Sequence, residues 1–279
     1  MRDYTDELPP HTERYVGEHD LYLEIYKGEE AREGQEQEDK APLLFVHGAY
    51  TGSWMWSKYL PHFIREGWTC YVMNLRSHYR SRVLDMTQIT FEDYLEDIHE
   101  VVQLIQAECG VTPVLIGFSM GGILSQKVAE TAGLAGLVLI DSSLCREVHE
   151  EVPYTDIVRT IPGNVVPAPV REEGSSLDET AEDIAFQRKY LTMESAKAFR
   201  TFFLIISGQR GVSVDSMSIT CPCLVIHAVN SDEDERRGRA NAAYFRAAYA
   251  GLWNTTHTGL LVGQRYLEAA QTILRWLAR

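Results

Sequence analysis

The hexapeptide Gly117-Phe118-Ser119-Met120-Gly121-Gly122 sets a serine between glycines, directly after the apolar run Val114-Leu115-Ile116 and directly before a helical pattern. A strand that runs straight into a helix must turn sharply, and glycine at 117 and 121 removes side chains that would strike neighbouring backbone. Such a turn holds a hydroxyl outward at the end of a sheet. There it can attack a carbonyl, provided that a base takes its proton. Of nine histidines, His257 is the best placed base. It follows a last apolar stretch and precedes the terminal helical pattern, so its loop should open on the edge that carries Ser119. His47 and His227 fall at strand ends and read as structural, whereas His62, His78 and His99 lie in helix or loop contexts without a partner.

An imidazole acting as base needs a carboxylate to fix its tautomer and stabilise its cation. Asp232, in the turn Asn230-Ser231-Asp232 after the run Leu224-Val225-Ile226, is the preferred acid. Asp141, in Ile140-Asp141-Ser142-Ser143, is the alternative, and Glu233 and Asp234 stay open because the acidic run blurs the register. Charge developing on the attacked oxygen must meet backbone N–H donors. Met120, the residue after the serine, supplies one. The loop His47-Gly48-Ala49-Tyr50 supplies the other, through Ala49 in preference to Tyr50. This chemistry implies no metal and no organic cofactor, and Cys221-Pro222-Cys223 lacks the second pair that a zinc site needs.

These groups need a scaffold that returns them to one edge. Leu43–Val46, Cys70–Met73, Pro113–Ile116, Leu137–Ile140 and Leu224–Ile226 are short continuous apolar runs, the pattern of parallel strands covered on both faces. Between them, Thr90-Phe91-Glu92-Asp93 opens one helix with a capping-box pattern, Ile123 to Ala132 forms a second and Gln264 to Leu277 a third. The alternation predicts an α/β fold with a doubly wound, mostly parallel sheet. The stretch 146–220 breaks the rhythm with prolines and two helical patterns. One starts near Ser176-Leu177-Asp178-Glu179 and runs toward Leu191; the other spans Met193 to Ile206. It is expected to form a helical cap over the sheet's carboxyl edge, dividing the core into 1–145 and 221–279. Tyr50, Phe202 and Phe203 are expected to touch substrate, and Trp54 and Trp56 hint at a hydrophobic acyl or alcohol group.

Composition limits the function classes. The net charge is −14, and the first 40 residues alone carry 13 acidic against 5 basic residues. Within them the run 21–26 suits strands at a sheet edge, while 28–40 reads as an exposed loop. No basic face is available for nucleic acid; Arg236-Arg237-Gly238-Arg239 follows four acidic residues and reads as a solvated helix start. No apolar run approaches the length of a membrane span, and the start lacks a signal-peptide core, so a cytoplasmic protein, monomeric or homodimeric, is the expectation. The five scattered cysteines do not suggest a disulfide framework.

Together, HGAYTGSWMW at 47–56, GFSMGG at 117–122, Ser231-Asp232 and HTGLL at 257–261 resemble the α/β-hydrolase family, over about Pro42 to Arg279. In that family such pieces serve, in this order, as oxyanion loop, nucleophile, acid and base. The layout is most similar to small, capped carboxylesterase and lysophospholipase-like members. The resemblance implies an acyl-enzyme hydrolysis of a small to medium hydrophobic ester. The same triad also serves thioesterases, lactonases, amidases and some cofactor-free lyases, and the fold serves some receptors and scaffolds. Two departures stand out. The family's frequent DxRGHGxS loop is here Asn74-Leu75-Arg76-Ser77-His78-Tyr79-Arg80-Ser81, which reads as solvent-facing. Ala228 stands where glycine is common before the acid.

Overall fold

The apolar runs of the sequence become the middle of one sheet. The computed structural model describes residues 2–29, 40–154, 160–161, 163–204 and 210–279. Strands β1 (Thr12–Val16), β2 (Leu21–Tyr26), β3 (Leu43–Val46), β4 (Cys70–Met73), β5 (Val114–Phe118) and β6 (Gly136–Ile140) come first along the chain. A short ribbon of β7 (Val165–Val166) and β8 (Glu194–Ser195) follows, then β9 (Cys223–Val229) and β10 (Ala248–Trp253). The main sheet runs β1-β2-β4-β3-β5-β6-β9-β10. Only β1 and β2 are antiparallel to their neighbours; from β4 to β10 every pairing is parallel. This is a doubly wound, mostly parallel α/β sheet, and β3 to β6 are buried along their whole length.

Helices cover both faces, so each central strand can be apolar on both sides. On one face, α2 (Phe91–Cys109), α3 (Met120–Ala129) and the end of α7 (Asp232–Tyr244) pack over Leu44, Leu115 and Leu139. On the other, α1 (Leu60–Arg65) and α8 (Tyr266–Leu277) cover Phe45, Ile116 and Ile226. Trp54 and Trp56 belong to this second layer, 1% and 0% exposed, so their role is core rather than substrate contact. Helix α2 starts at the capping box of Thr90 and Asp93, as its sequence predicts.

The register fixes what stands at the carboxyl edge. Val46 pairs with Gly117, Phe118 with Ile140, and Ile140 with Ile226. The residues that follow β3, β5 and β6 therefore emerge side by side, next to the middle of β9. The insertion between β6 and β9 holds α4 (Arg146–Glu151), α5 (Ala181–Tyr190), α6 (Ala196–Phe202) and the β7–β8 ribbon. Its helices are shorter than the sequence pattern suggests. Helix α5 starts at Ala181 under a Thr180–Asp183 capping box, not at Ser176, although the Ser176 hydroxyl does donate to Glu179 at 2.6 Å. Helix α6 ends at Phe202, and the expected continuation through Ile205 and Ile206 lies outside the described residues. Most of the expected loop at 28–40 lies outside them too.

The acidic start reaches beyond the sheet edge. In a single turn at Tyr4–Glu7, the Tyr4 hydroxyl donates to Asp183 of α5 at 2.7 Å, and its ring meets Phe186 edge-on. Asp3 accepts from the Tyr190 hydroxyl at 2.6 Å and pairs with Lys189. The N-terminus thus ties down the insertion. Among the described residues no helix is long and apolar enough to cross a membrane.

Candidate active site

Ser119 sits between β5 and α3 with φ 54° and ψ −116°, a conformation that costs a non-glycine residue energy and persists only where its surroundings hold it. They do: Ser119 N–H donates to Ile140 O at 3.1 Å, and its own carbonyl accepts from Gly122 and Ser143. A Cβ on Gly121 would strike the Val46 and His47 carbonyls, and one on Gly117 would strike Gly121 and Ser125. The two glycines are what let the turn pass between β3 and α3.

His257 follows β10, and its ring lies on the face of Phe118 with centroids 4.6 Å apart. Its Nδ1 stands 2.5 Å from Asp141 Oδ2. A proton shared there leaves Nε2 as the free acceptor of the ring. Asp141 is largely but not fully buried, its side chain 11% exposed, at φ 40° just past the end of β6. Its other oxygen accepts from Ala228 N–H at 3.0 Å and lies 2.7 Å from His227 Nδ1. Burial alone would raise the Asp141 pKa. His227 and His257 outweigh it and hold the carboxylate well below its usual range. Burial likewise opposes a charge on His227, but the Asp141 carboxylate prevails and raises its pKa.

The expected acid, Asp232, does not meet His257. It is the exposed first residue of α7, and no hydrogen bond among the described residues joins Asp232, Glu233 or Asp234 to the imidazole. The acidic run has another cause. It fills the first turn of α7 behind the Ser231 N-cap, where carboxylates complement the positive helix end, and Glu233 and Asp234 pair with Arg237. The structure brings the alternative, Asp141, to His257 instead. The strand order is the reason: β6 lies between β5 and β9, so its end already faces both the serine turn and the histidine loop.

The loop after β3 is tightly held. His47, fully buried, donates from Nδ1 to Gly48 O at 2.8 Å and accepts Leu75 N–H on Nε2 at 3.1 Å. Burial and the neighbouring His78 push its pKa down to about 3, so it is neutral. Thr51 Oγ1 donates to the same Gly48 carbonyl at 2.8 Å. Tyr50 has φ 68°, and its N–H donates to Glu194 Oε2 at 3.3 Å. The Tyr50 amide is therefore engaged. The amides of Ala49 and Met120 find no acceptor among the described residues.

Ser119, His257, Ala49 and Tyr50 open on a cavity of about 340 Å³. The insertion supplies its apolar wall with Leu191, Phe199, Phe202 and Phe203, and its polar end with Arg171 and Gln187. Two sets of residues escape the sequence reading. Asp178 and Glu179, read there as part of a helix start, grip the histidine loop. Asp178 accepts from Thr256 N–H at 3.1 Å and from both the Thr255 and Thr256 hydroxyls, and Glu179 accepts from Thr258 Oγ1 at 2.9 Å. The stretch 74–81 is not solvent-facing. Asn74, Arg76, His78 and Ser81 are buried, and Arg76 pairs with Asp97 and Asp93 of α2. His78, far from lacking a partner, lies 3.0 Å from Glu194, both side chains being fully buried.

Residues 43–270 match the family model described as alpha/beta hydrolase family. No curated protein matches the chain. Solved structures do. A thermophilic esterase from Thermogutta terrifontis superposes with TM-score 0.61 at 18% identity, over 97% of this chain and 98% of its own. An enol-lactonase from Burkholderia xenovorans gives 0.61 at 15%, over 97% and 100%. A proline iminopeptidase from Mycobacterium smegmatis gives 0.63 at 16%, over 96% and 98%. At these identities the structures share the fold, and their different activities show how little the fold alone decides. With the family model matched from β3 into α8, the chain belongs to the alpha/beta hydrolase family.

Proposed function

We propose that the protein is a serine hydrolase that cleaves a carboxylic ester of a small to medium hydrophobic substrate through an acyl-enzyme. The observation that carries this reading is the 2.5 Å contact of Asp141 with His257 on the cavity that Ser119 also lines. Ser119 Oγ attacks the ester carbonyl while His257 Nε2 takes its proton. The carbon–oxygen bond to the alcohol then breaks, and the imidazolium returns the proton to the leaving oxygen. Water, deprotonated by the same nitrogen, releases the acid and restores the serine. Asp141 stays ionised throughout and stabilises the imidazolium. The Ala49 and Met120 amides face the oxyanion, where one donor is worth about 3–4 kcal/mol.

Segment 146–220 acts in this reading as a cap that supplies the substrate wall. Phe199, Phe202 and Phe203 favour an apolar acyl or alcohol group, and Tyr50 adds a further face. Thioester, lactone and amide cleavage would use the same atoms; the apolar wall gives no reason to prefer them. Intact mass after exposure to a small fluorophosphonate tests the reading. One adduct on the parent, absent in Ser119→Ala, is expected. A folded parent that takes no adduct would overturn it.

A further inference from the structure

Glu194 belongs to the insertion, yet every bond of its carboxylate beyond its own strand goes to the core. Oε1 accepts from the Tyr94 hydroxyl of α2 at 2.6 Å and from Ser195 N–H at 2.7 Å. Oε2 accepts from Tyr50 N–H at 3.3 Å and from His78 Nε2 at 3.0 Å. The other His78 nitrogen faces Arg76 O at 3.0 Å. With an acceptor at each nitrogen the geometry favours the protonated ring of His78, and burying it beside a fully buried carboxylate is tolerated because each satisfies the other.

The consequence falls on the oxyanion loop. Tyr50 is an aromatic residue at φ 68°, a backbone state that L residues avoid unless something fixes both sides of the peptide. Here the fixing groups come from one short segment of the insertion. Glu194 takes the Tyr50 N–H, and Thr192 N–H donates to Tyr50 O at 3.0 Å. On the other flank the Gly48 carbonyl is held by His47 and Thr51. Ala49 lies between these two clamps, and its amide finds no acceptor among the described residues.

We infer that Glu194 is a positioning residue that makes the oxyanion hole conditional on docking of the insertion: when 192–195 sits in place, Tyr50 is locked and the Ala49 amide is aimed. This rests on the serine-hydrolase reading for its kinetic consequence, but the clamp itself is a statement about the loop. Strain at Tyr50 is thus held by the element that also supplies the substrate wall. The site assembles as a unit.

The test compares Glu194→Ala and Glu194→Gln with the parent. Gln keeps an oxygen for Tyr50 N–H, so it should be the milder change. With p-nitrophenyl butyrate, Glu194→Ala is expected to lose about 10- to 100-fold in kcat with KM held within about 3-fold, since the donor is loosened and not removed. Phenylboronic acid, which becomes tetrahedral on a serine, should bind weaker by the same factor. Amide hydrogen exchange over 47–51 should speed up in both variants while 114–118 stays as in the parent. Unchanged exchange over 47–51 overturns the clamp, as does a lowered melting temperature with parental kcat. If Glu194→Ala fails to fold, Glu194→Gln decides by the same measurements. A parent without Ser119-dependent turnover would sink the proposed function, and the exchange experiment would still decide the clamp.

Discussion

Asp141 meets His257 Nδ1 across 2.5 Å although 116 positions separate them. The contact joins the end of β6 to the loop after β10 and leaves the turn after β9 with no part in it. His227 closes the other side of the same carboxylate at 2.7 Å, so Asp141 is bracketed by two imidazoles and cannot swing away from either.

Exchanging acids one at a time should separate the two candidates. Asp141→Asn is expected to lower kcat by about 10³- to 10⁴-fold, because an amide at that place no longer selects the productive tautomer of His257. Asp232→Asn should stay within about 2-fold of the parent. Steady-state ester hydrolysis measures both, and the opposite ranking would refute the pairing.

Gly121→Ala should be severely destabilising. The added methyl would meet two carbonyl oxygens of β3 and its following loop, neither of which can withdraw without breaking the strand. A loss of at least about 2 kcal/mol in urea unfolding is expected. A parental unfolding midpoint would show that the turn has more room than the structure gives it.

Stability should depend on pH through His78 and Glu194, which face Tyr94, Asp97 and the neutral His47. Burial lowers the His78 pKa, but Glu194 more than compensates and leaves it above the ordinary 6.5. Its contribution is therefore full below about 6.5 and is lost as pH rises through the raised value. For Glu194 burial acts upward, yet His78 and the other donors leave it below the ordinary 4.5, so its contribution is full above about 4.5 and fades as pH falls through the lowered value. The melting-temperature difference between the parent and Glu194→Gln should be greatest between about pH 4.5 and 6.5 and narrow on either side. A difference independent of pH would show that the pair does not carry charge.

The local geometry of the serine was legible because it is written in neighbouring residues: a strand, a glycine frame and a helix start allow one shape for 117–122. His257 was legible from chain order, since the last loop before the terminal helix must open at the strand ends. The acid was not. Its choice depends on which strand ends lie side by side, and Asp232 carried a misleading local signal because helix N-termini attract carboxylates for reasons of their own. The signal that pointed elsewhere was a histidine, His227, inside an otherwise apolar strand, which requires a buried partner. Glu194 and the pair Asp178–Glu179 left no such trace. Glu194 sits in the two-residue strand β8 and Asp178–Glu179 in an irregular stretch of the insertion, and their partners are remote in sequence.

The order of these groups along the chain sets when they can act together. The loop after β3, Ser119 and Asp141 all precede the insertion, and His257 alone follows it. On the proposed assignment, a chain emerging from the ribosome carries the nucleophile and the acid, with the donors for the oxyanion, well before it owns a base. The base of that assignment is in place only when β9 and β10 have joined the sheet and Asp178 and Glu179 have received the histidine loop. On the proposed assignment, the nascent protein is protected from premature chemistry by sequence order alone.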